Sequence, residues 1–581
     1  MPRAVLLILA LPLLAQVPPH VSRAKQIEYA APTSLDTQTG LRPHIERYQT
    51  DRAALARYYT FSESPQRIKA FNTFNNAWLK SLAALDFQKL PHDGQVDHVL
   101  LANIIRLDLR RHQQLEQRLN EALPLLPFAQ PIFELLDNRV RVEPPDPAKI
   151  AATLFQLDKA IAGARKEIPS RKSTIKPATA NRAARLTRDF LAALKEWNTF
   201  YDGYDPNFSW WTNEPYAKLT KSLDAYATDL REKLAGVPKD DKDTIVGDPI
   251  GDAALRDELK FEIIPYSPED LVKIAEKEFA WCDKEMLKAS RELGYGDDWK
   301  KALEHVKNLH VPPGQQALLV RDQVFEAIDF LEKRDLVTIP QYTKDIWRMR
   351  MMTPAEQRIS PFFLGGEQII VSFPTAGMPH EAKLMSLRGN NIHFSRATVH
   401  HEVIPGHHLQ TFMTQRYRPY RRAFYTPFWI EGWALYWEMR LWDLNFPQTP
   451  ENRIGMLFWR MHRCARILFS LNFHLEKWTA QQCVDFLVDR VGHERENAAA
   501  EVRRSFEANY PPLYQAAYML GGLQFRALHQ ELVASGKMTE KQFHDAILQN
   551  GSIPVELVRA TLTRQPLQPG FTSTWKFYGP L

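Results

Sequence analysis

"HHEVIPGHHLQ", His400–Gln410, holds two histidine pairs separated by an acid and a proline, and the reading of this turn decides what fold must surround it. In the HExxH spacing, two imidazoles four residues apart on one helical face reach a single metal ion, while the intervening glutamate meets the water beside it. Here the fourth position after His401 is Pro405, and the next histidines are His407 and His408. On a straight helix His407 would sit about 9 Å along the axis and about 120° around from His401, and His408 about 10.5 Å away, so neither could share an ion with it. Pro405 removes that obstacle. It cannot donate to the carbonyl of residue 401 and its ring clashes there, a defect of about 3 kcal/mol inside a helix, and Gly406 relaxes the backbone that follows. The Pro-Gly pair can bulge outward and carry His407 to the place of the second HExxH histidine, with His400 and His408 flanking the site. Local violations of helix rules tend to occur where function compensates them. Four of the 18 histidines fall within the nine positions 400–408, far above even spacing, so the cluster calls for a reason beyond composition.

A zinc site of this kind needs a third protein ligand and an open position. Glu431 lies in "FWIEGWALYWE", an apolar-rich segment that follows Pro427 and reads as a buried helix. A carboxylate among Trp429, Trp433, Tyr436 and Trp437 is costly unless paired or metal-bound. Glu438, two turns on, lies on roughly the same face and is the candidate to orient a ligating histidine.

The rest of the chain sets the context. Its 581 residues are 44% apolar and 24% charged, an ordinary globular composition with ample length for a large core. Lys and Arg number 74 against 68 Asp and Glu, and a net charge of +6 spread over this length argues against a nucleic-acid or anionic-membrane partner. "MPRAVLLILALPLLAQ" gives a basic start and an apolar run from Ala4 to Ala15, too short to span a bilayer and readable as a secretory signal. A secreted or periplasmic location is expected, with no membrane contact beyond that export signal. The three cysteines, Cys282, Cys464 and Cys483, imply no disulfide scaffold.

Helical grammar dominates the mature chain. In "SPEDLVKIAEKEFAWCDKEMLKASRELGYG", Ser267 reads as the N-cap, Pro268 as the first turn, Leu271, Ile274, Phe279, Cys282, Met286 and Leu293 as the buried stripe, and Gly294 as the stop. Leu219, Leu223, Tyr226, Leu230 and Leu234 recur at steps of three and four before Gly236. "GGEQIIVSFP", Gly365–Pro374, is the best strand candidate. "RVEPPDPAK" (Arg141–Lys149) and "VPKDDKDTIVGDPIGD" (Val237–Asp252) read as linkers. The pair Trp210 and Trp211 is expected to pack in the core.

"HEVIPGHHLQ" followed by "WIEGWALYWE" resembles the bacterial domain-of-unknown-function 885 family, which is similar in its active-site region to the glutamate-ligand zinc peptidases. The likeness covers most of the mature chain and is most specific between residues 400 and 440. The family pattern has histidine at the position of His407 and admits an aromatic at that of His408, which favours His401, His407 and Glu431 as the zinc ligands. "AEVRRSFEANYPPLYQAAYMLGG" resembles a family segment that maps onto Arg504, Pro512 and Tyr518. In "RILFSLNFH", Ser470 and Asn472 stand where the family version has an acid and a glycine, while His474 remains.

The resemblance implies a mainly α fold: a large helical zincin-like peptidase body, a small β-sheet beside the active-site helix, and two helical lobes around a cleft. Its parts are a signal peptide (1–20), an N-terminal helical lobe (21–250) and a catalytic lobe (251–581). The implied activity is Zn2+-dependent hydrolysis of a peptide or related amide, with Glu402 as general base towards zinc-activated water. Tyr518 would donate to the developing oxyanion, Arg504 would hold a substrate carboxylate, and His408 and His474 would touch substrate. The residues Ile369–Phe373 could line the cleft and bind an extended peptide by a backbone edge. An arginine facing the cleft favours exopeptidase action of carboxypeptidase or dipeptidase type on short peptides. The alternatives are an inactive helical binding or scaffold protein on the same body, and a serine or cysteine hydrolase, for which no GxSxG or distinctive cysteine surroundings exist.

Overall fold

Ser267 accepts from the Asp270 N–H while the Asp270 carboxylate accepts from the Ser267 N–H, and this capping box starts the helix Pro268–Glu292. Leu271, Ile274, Phe279, Cys282 and Met286 are buried along it, and Gly294, at φ +84°, ends it as its sequence predicts. The same logic repeats through the computed structural model, which describes Tyr29, Pro32 and residues 40–581 apart from 239–240, 242, 358–359 and 509. The leader expected at 1–20 lies outside the described residues. The fold is mainly α, with one two-stranded sheet among the described residues. No helix of the described residues is long and apolar enough to cross a membrane.

Buried apolar side chains fall into two clusters. The smaller is built from residues between Leu119 and Ala235, the larger from Leu41–Ile105 together with Leu255–Phe577. The helix His92–Ala122 runs from one cluster to the other, so the cores do not divide at a single point near residue 250. The first helices lie against the C-terminal half through buried pairs such as Arg421 Nε to Asp97 at 2.8 Å. Leu219, Leu223, Tyr226, Leu230 and Leu234 fill the smaller core as their spacing predicts. Trp210 and Trp211 do not. They are 77% and 42% exposed, because the helix Pro206–Asp229 turns Phe208 and Thr212 inward and leaves the tryptophan pair on its outer face.

Three helices form the centre of the larger cluster. Pro427–Asp443 is buried almost throughout and crosses Tyr514–His529 at a glycine contact: a Cβ on Gly432 would lie 2.5 Å from the Gly521 Cα, and one on Gly521 would lie 2.1 Å from the Phe428 carbonyl oxygen. Pro450–His474 packs across both Pro268–Glu292 and Ile392–Glu402. The strand β1 (Arg348–Met351) pairs in parallel with β2 (Gln368–Val371), and β2 falls inside the predicted Gly365–Pro374 segment. Leu364 folds back on Ile370 through two backbone hydrogen bonds of 2.8 and 3.0 Å, and Gly366 N–H then donates to the Glu402 carbonyl at 3.2 Å. This tethers the sheet to the end of the histidine helix. The three cysteines are buried and unpaired.

Candidate metal centre

The helix Ile392–Glu402 stops at Glu402, and a new helix, His407–Thr414, begins at His407. The four residues between form a turn, with Ile404–Pro405 cis, where the sequence suggests a bulge within one helix. The turn is satisfied by its own backbone: Gly406 N–H donates to the His400 carbonyl at 3.1 Å, His408 N–H to the Val403 carbonyl at 3.0 Å, and Trp433 Nε1 to the Pro405 carbonyl at 2.9 Å. Gly406 is needed for room, since a Cβ there would sit 1.7 Å from the His401 carbonyl oxygen. The result brings the His401 and His407 rings to 4.8 Å between centroids, nearly perpendicular.

Each imidazole is held by one nitrogen so that the other points inward. His401 Nδ1 donates to Glu438 Oε1 at 2.7 Å, the role expected of Glu438. His407 Nδ1 donates to Gln410 Oε1 at 3.0 Å, and the Gln410 amide donates to the Ile430 carbonyl at 3.0 Å, one residue before Glu431. The free atoms converge: Glu431 Oε2 lies 3.5 Å from His401 Nε2 and 3.2 Å from His407 Nε2. One ligand atom from each of these three residues lies within 4.8 Å of the others. Ligands about 2.0–2.1 Å from a tetrahedral ion sit about 3.3 Å apart. Glu431 Oε2 is buried and makes no hydrogen bond among the described residues, while Oε1 accepts a short hydrogen bond from the Tyr514 hydroxyl. A buried carboxylate oxygen without a donor, facing two outward lone pairs, fits a divalent cation.

Electrostatics agree with the geometry. Burial opposes ionisation of Glu431, but His407 and His401 beside it hold its carboxyl well below the usual range. Burial likewise opposes charge on Glu438, but Arg463 and His401 bring it down to about 2. Glu402 behaves in the opposite sense, because burial lifts its carboxyl above the ordinary value in spite of the two histidines. Its Oε2 is 3.9 Å from His407 Nε2, and Gly365 is pressed against it so closely that a Cβ would meet Oε2 at 2.2 Å.

His401, Glu402, His407 and Glu431 border a cavity of about 320 Å³. Arg504 and Tyr518 border it too, as expected; the Tyr518 ring stacks on His401 at 5.9 Å, and its hydroxyl is 3.4 Å from that of Tyr514. His408 and His474 are not brought there. His408 Nε2 donates to the Thr343 carbonyl at 2.8 Å on the far side of the turn, because consecutive helical residues face different directions. His474, at the end of its helix, packs on Phe473 and Phe506. The residues Ile369–Phe373 do not line the cavity either; β2 turns Ile369 and Val371 into the core, and the preceding Phe362–Gly366 takes the wall. His400 is buried with both ring nitrogens unpartnered among the described residues, and burial lowers it to about 3.

Several site residues escape the sequence reading. Tyr514, Gln410, Arg463 and Arg466 all border or brace the site. Arg460, Arg463 and Arg466 recur every three residues in an otherwise apolar helix and each meets a buried carboxylate: Glu278 at 2.7 Å, Glu438 at 3.2 Å and Glu501 at 2.8 Å. Charges at helical spacing in a segment with no polar face are the signal that marks them.

Solved structures share this fold, two of them described as candidate lipoproteins. One, a candidate lipoprotein of unknown function from Shewanella oneidensis, is 16% identical with a TM-score of 0.65, covering 89% of this chain and 98% of that one. The other, a candidate lipoprotein from Colwellia psychrerythraea, is 18% identical with a TM-score of 0.55, covering 90% and 97%. No curated protein matches the chain. The family model for bacterial proteins of unknown function (DUF885) matches residues 23–562, nearly the whole length, and the chain belongs to that family.

Proposed function

We propose that this protein is an exported, zinc-dependent hydrolase of peptide or related amide bonds, acting as an exopeptidase on short peptides. The reading rests on one observation: two braced imidazoles and the unsatisfied Oε2 of Glu431 face one another in a cavity that also holds a carboxyl group made more basic by burial. Two nitrogens and a carboxylate oxygen suit Zn2+, and Mn2+ or Co2+ could occupy the same set. When bound, such an ion supplies Lewis acidity to the attacking water and to the scissile carbonyl.

The residues of the chain do the rest. Glu402, near enough to His407 to reach the same water, accepts its proton; the water oxygen bonds to the carbonyl carbon, the C–N bond breaks, and Glu402 returns the proton to the leaving amine. The raised carboxyl of Glu402 suits a base that must later act as an acid. Tyr518 donates to the negative charge that builds on the carbonyl oxygen, and Tyr514 holds Glu431 through Oε1. Glu438 and Gln410 fix the ring orientations. Arg504 receives a substrate carboxylate.

In this reading these residues sit in a zincin-like body whose core joins residues 41–105 to 255–577. Export fits the basic and apolar leader, and the two structural relatives are described as candidate lipoproteins. The test is a peptide-library assay on purified protein before and after chelation, combined with the variant Glu402→Gln. That variant keeps its metal and loses about 100-fold or more of turnover. Full activity in Glu402→Gln would remove this base, and metal-loaded protein that cleaves no peptide would favour a binding or scaffold role.

A further inference from the structure

The wall of the cavity that carries Tyr518 is cationic to a degree the hydrolytic step does not require. Arg463, Arg466 and Arg504 all border the cavity and are each at least nine-tenths buried. Each keeps a buried N–H without a partner among the described residues: Nε of Arg463, Nη1 of Arg466 and Nε of Arg504. Their guanidiniums are packed on tyrosines. Arg463 and Arg466 lie 4.7 and 4.3 Å from the Tyr518 ring, and Arg504 lies 4.8 Å from that of Tyr510. Glu501, wholly buried, positions the group: its Oε1 accepts from Nε of Arg466 at 2.8 Å and lies 2.8 Å from Nη2, and its Oε2 is 3.8 Å from Arg504 Nη1.

Charge counting then limits the ligand. The buried acids that answer these arginines and the metal ligands are Glu402, Glu431, Glu438 and Glu501. Of these, only Glu438 and Glu501 answer the three guanidiniums, which leaves one positive charge on the wall with or without an ion, and a buried surplus charge is costly unless an anion meets it. A second cavity of about 720 Å³ adjoins the first, sharing Thr411, Tyr425 and Ile430 with it, and reaches none of the three arginines.

The geometry points to the Arg463–Arg466–Arg504 wall as a receptor for one carboxylate, that of a peptide's C-terminal residue, with the N-terminal part of the peptide leaving through the adjoining larger cavity. This rests on the hydrolase reading above and gives it a direction: the residues released are those at the peptide's C terminus, and a blocked amino terminus is tolerated. Glu501 is a positioning residue. It holds Arg466 through Nε and leaves Nη1 without an acceptor among the described residues.

The test is calorimetric binding of three probes to the Glu402→Gln protein, zinc-loaded and metal-free: N-acetyl-Ala-Phe with a free carboxylate, its C-terminal amide, and N-acetyl-Ala-Glu-amide. The free acid should bind about 100-fold more tightly than either amide, because an amide leaves buried guanidinium N–H groups unmet. The preference should persist without metal and shrink about tenfold or more in Arg504→Met and in the charge-balanced double variant Arg466→Met/Glu501→Gln. Thermal melts verify folding, and Arg504→Lys, which keeps the charge but loses the fork, serves where the others do not fold and should also weaken the acid. Equal binding of acid and amide, no binding of any probe, equal binding of the Glu-amide, loss of preference on metal removal, or an undiminished preference in the folded variants would each overturn the assignment. The two readings fail separately. Acid-selective binding without turnover in the parent protein sinks the hydrolase alone, whereas equal cleavage of acid and amide peptides sinks the receptor alone.

Discussion

Glu438 shows how much of this site is decided by residues that never reach the proposed ion. Its carboxylate accepts from His401 Nδ1 at 2.7 Å and from Arg463 Nη2 at 3.2 Å, so one buried charge sets both the tautomer of His401 and the place of Arg463. Glu438→Gln keeps the shape but weakens both contacts. Its zinc dissociation constant, measured by competition with a chromophoric chelator, should rise about 10- to 100-fold while the protein stays folded. Unchanged affinity would mean that His401 needs no such brace. At this scale the meeting of His401 and His407 is legible because the Pro-Gly break between them removes the helical spacing that would hold them apart. Glu431 is legible because the surrounding tryptophans make an unpaired carboxylate expensive. Tyr514, Arg463 and Arg466 are not, since their roles come from side chains of other helices that meet them only after folding.

Between elements, the approach of Pro427–Asp443 to Tyr514–His529 brings Glu431 to its tyrosine. Gly432 and Gly521 face each other with no room for a methyl, so Gly432→Ala must push the helices apart beside Glu431. It should cost about 1–3 kcal/mol in urea unfolding and weaken zinc binding, whereas a purely structural contact would leave zinc affinity intact. The start of the same helix carries a pH dependence. Thr426, its N-cap, donates to both oxygens of Glu262 at 2.6 Å, and burial pushes the Glu262 carboxyl up to about 8. A carboxyl raised on folding gives stability that is fully present below its unfolded value of about 4.3 and lost as pH rises through about 8. Glu262→Gln should therefore flatten the fall in urea midpoint between pH 5 and 8 and exceed the parent's stability above pH 8. A parallel fall in both proteins would place the dependence elsewhere. Helix caps and stops such as Ser267 and Gly294 follow from local rules, which is why they read correctly from sequence. The outward face of Trp210 and Trp211 does not, because which side of a helix is covered depends on partners far along the chain.

Over the whole molecule, the site is assembled from segments that are distant in sequence and joined by one core. Residues 41–105 share that core with 255–577, while 119–235 build their own; the linker read at Val237–Asp252 marks the second boundary, but no linker composition announces the first, because the long helix His92–Ala122 crosses it without a break. The mainly helical character follows from periodicity. The meeting of residue 401 with residues 431, 438 and 518 follows from packing alone. The central claim is that His401, His407 and Glu431 surround one divalent cation, and it is tested most directly by elemental analysis of the zinc-reconstituted protein and three variants at equal concentration. One ion per chain is predicted for the parent and for His408→Ala, and none held in His407→Ala or Glu431→Ala. An ion retained in Glu431→Ala, or one lost only in His408→Ala, would contradict the account.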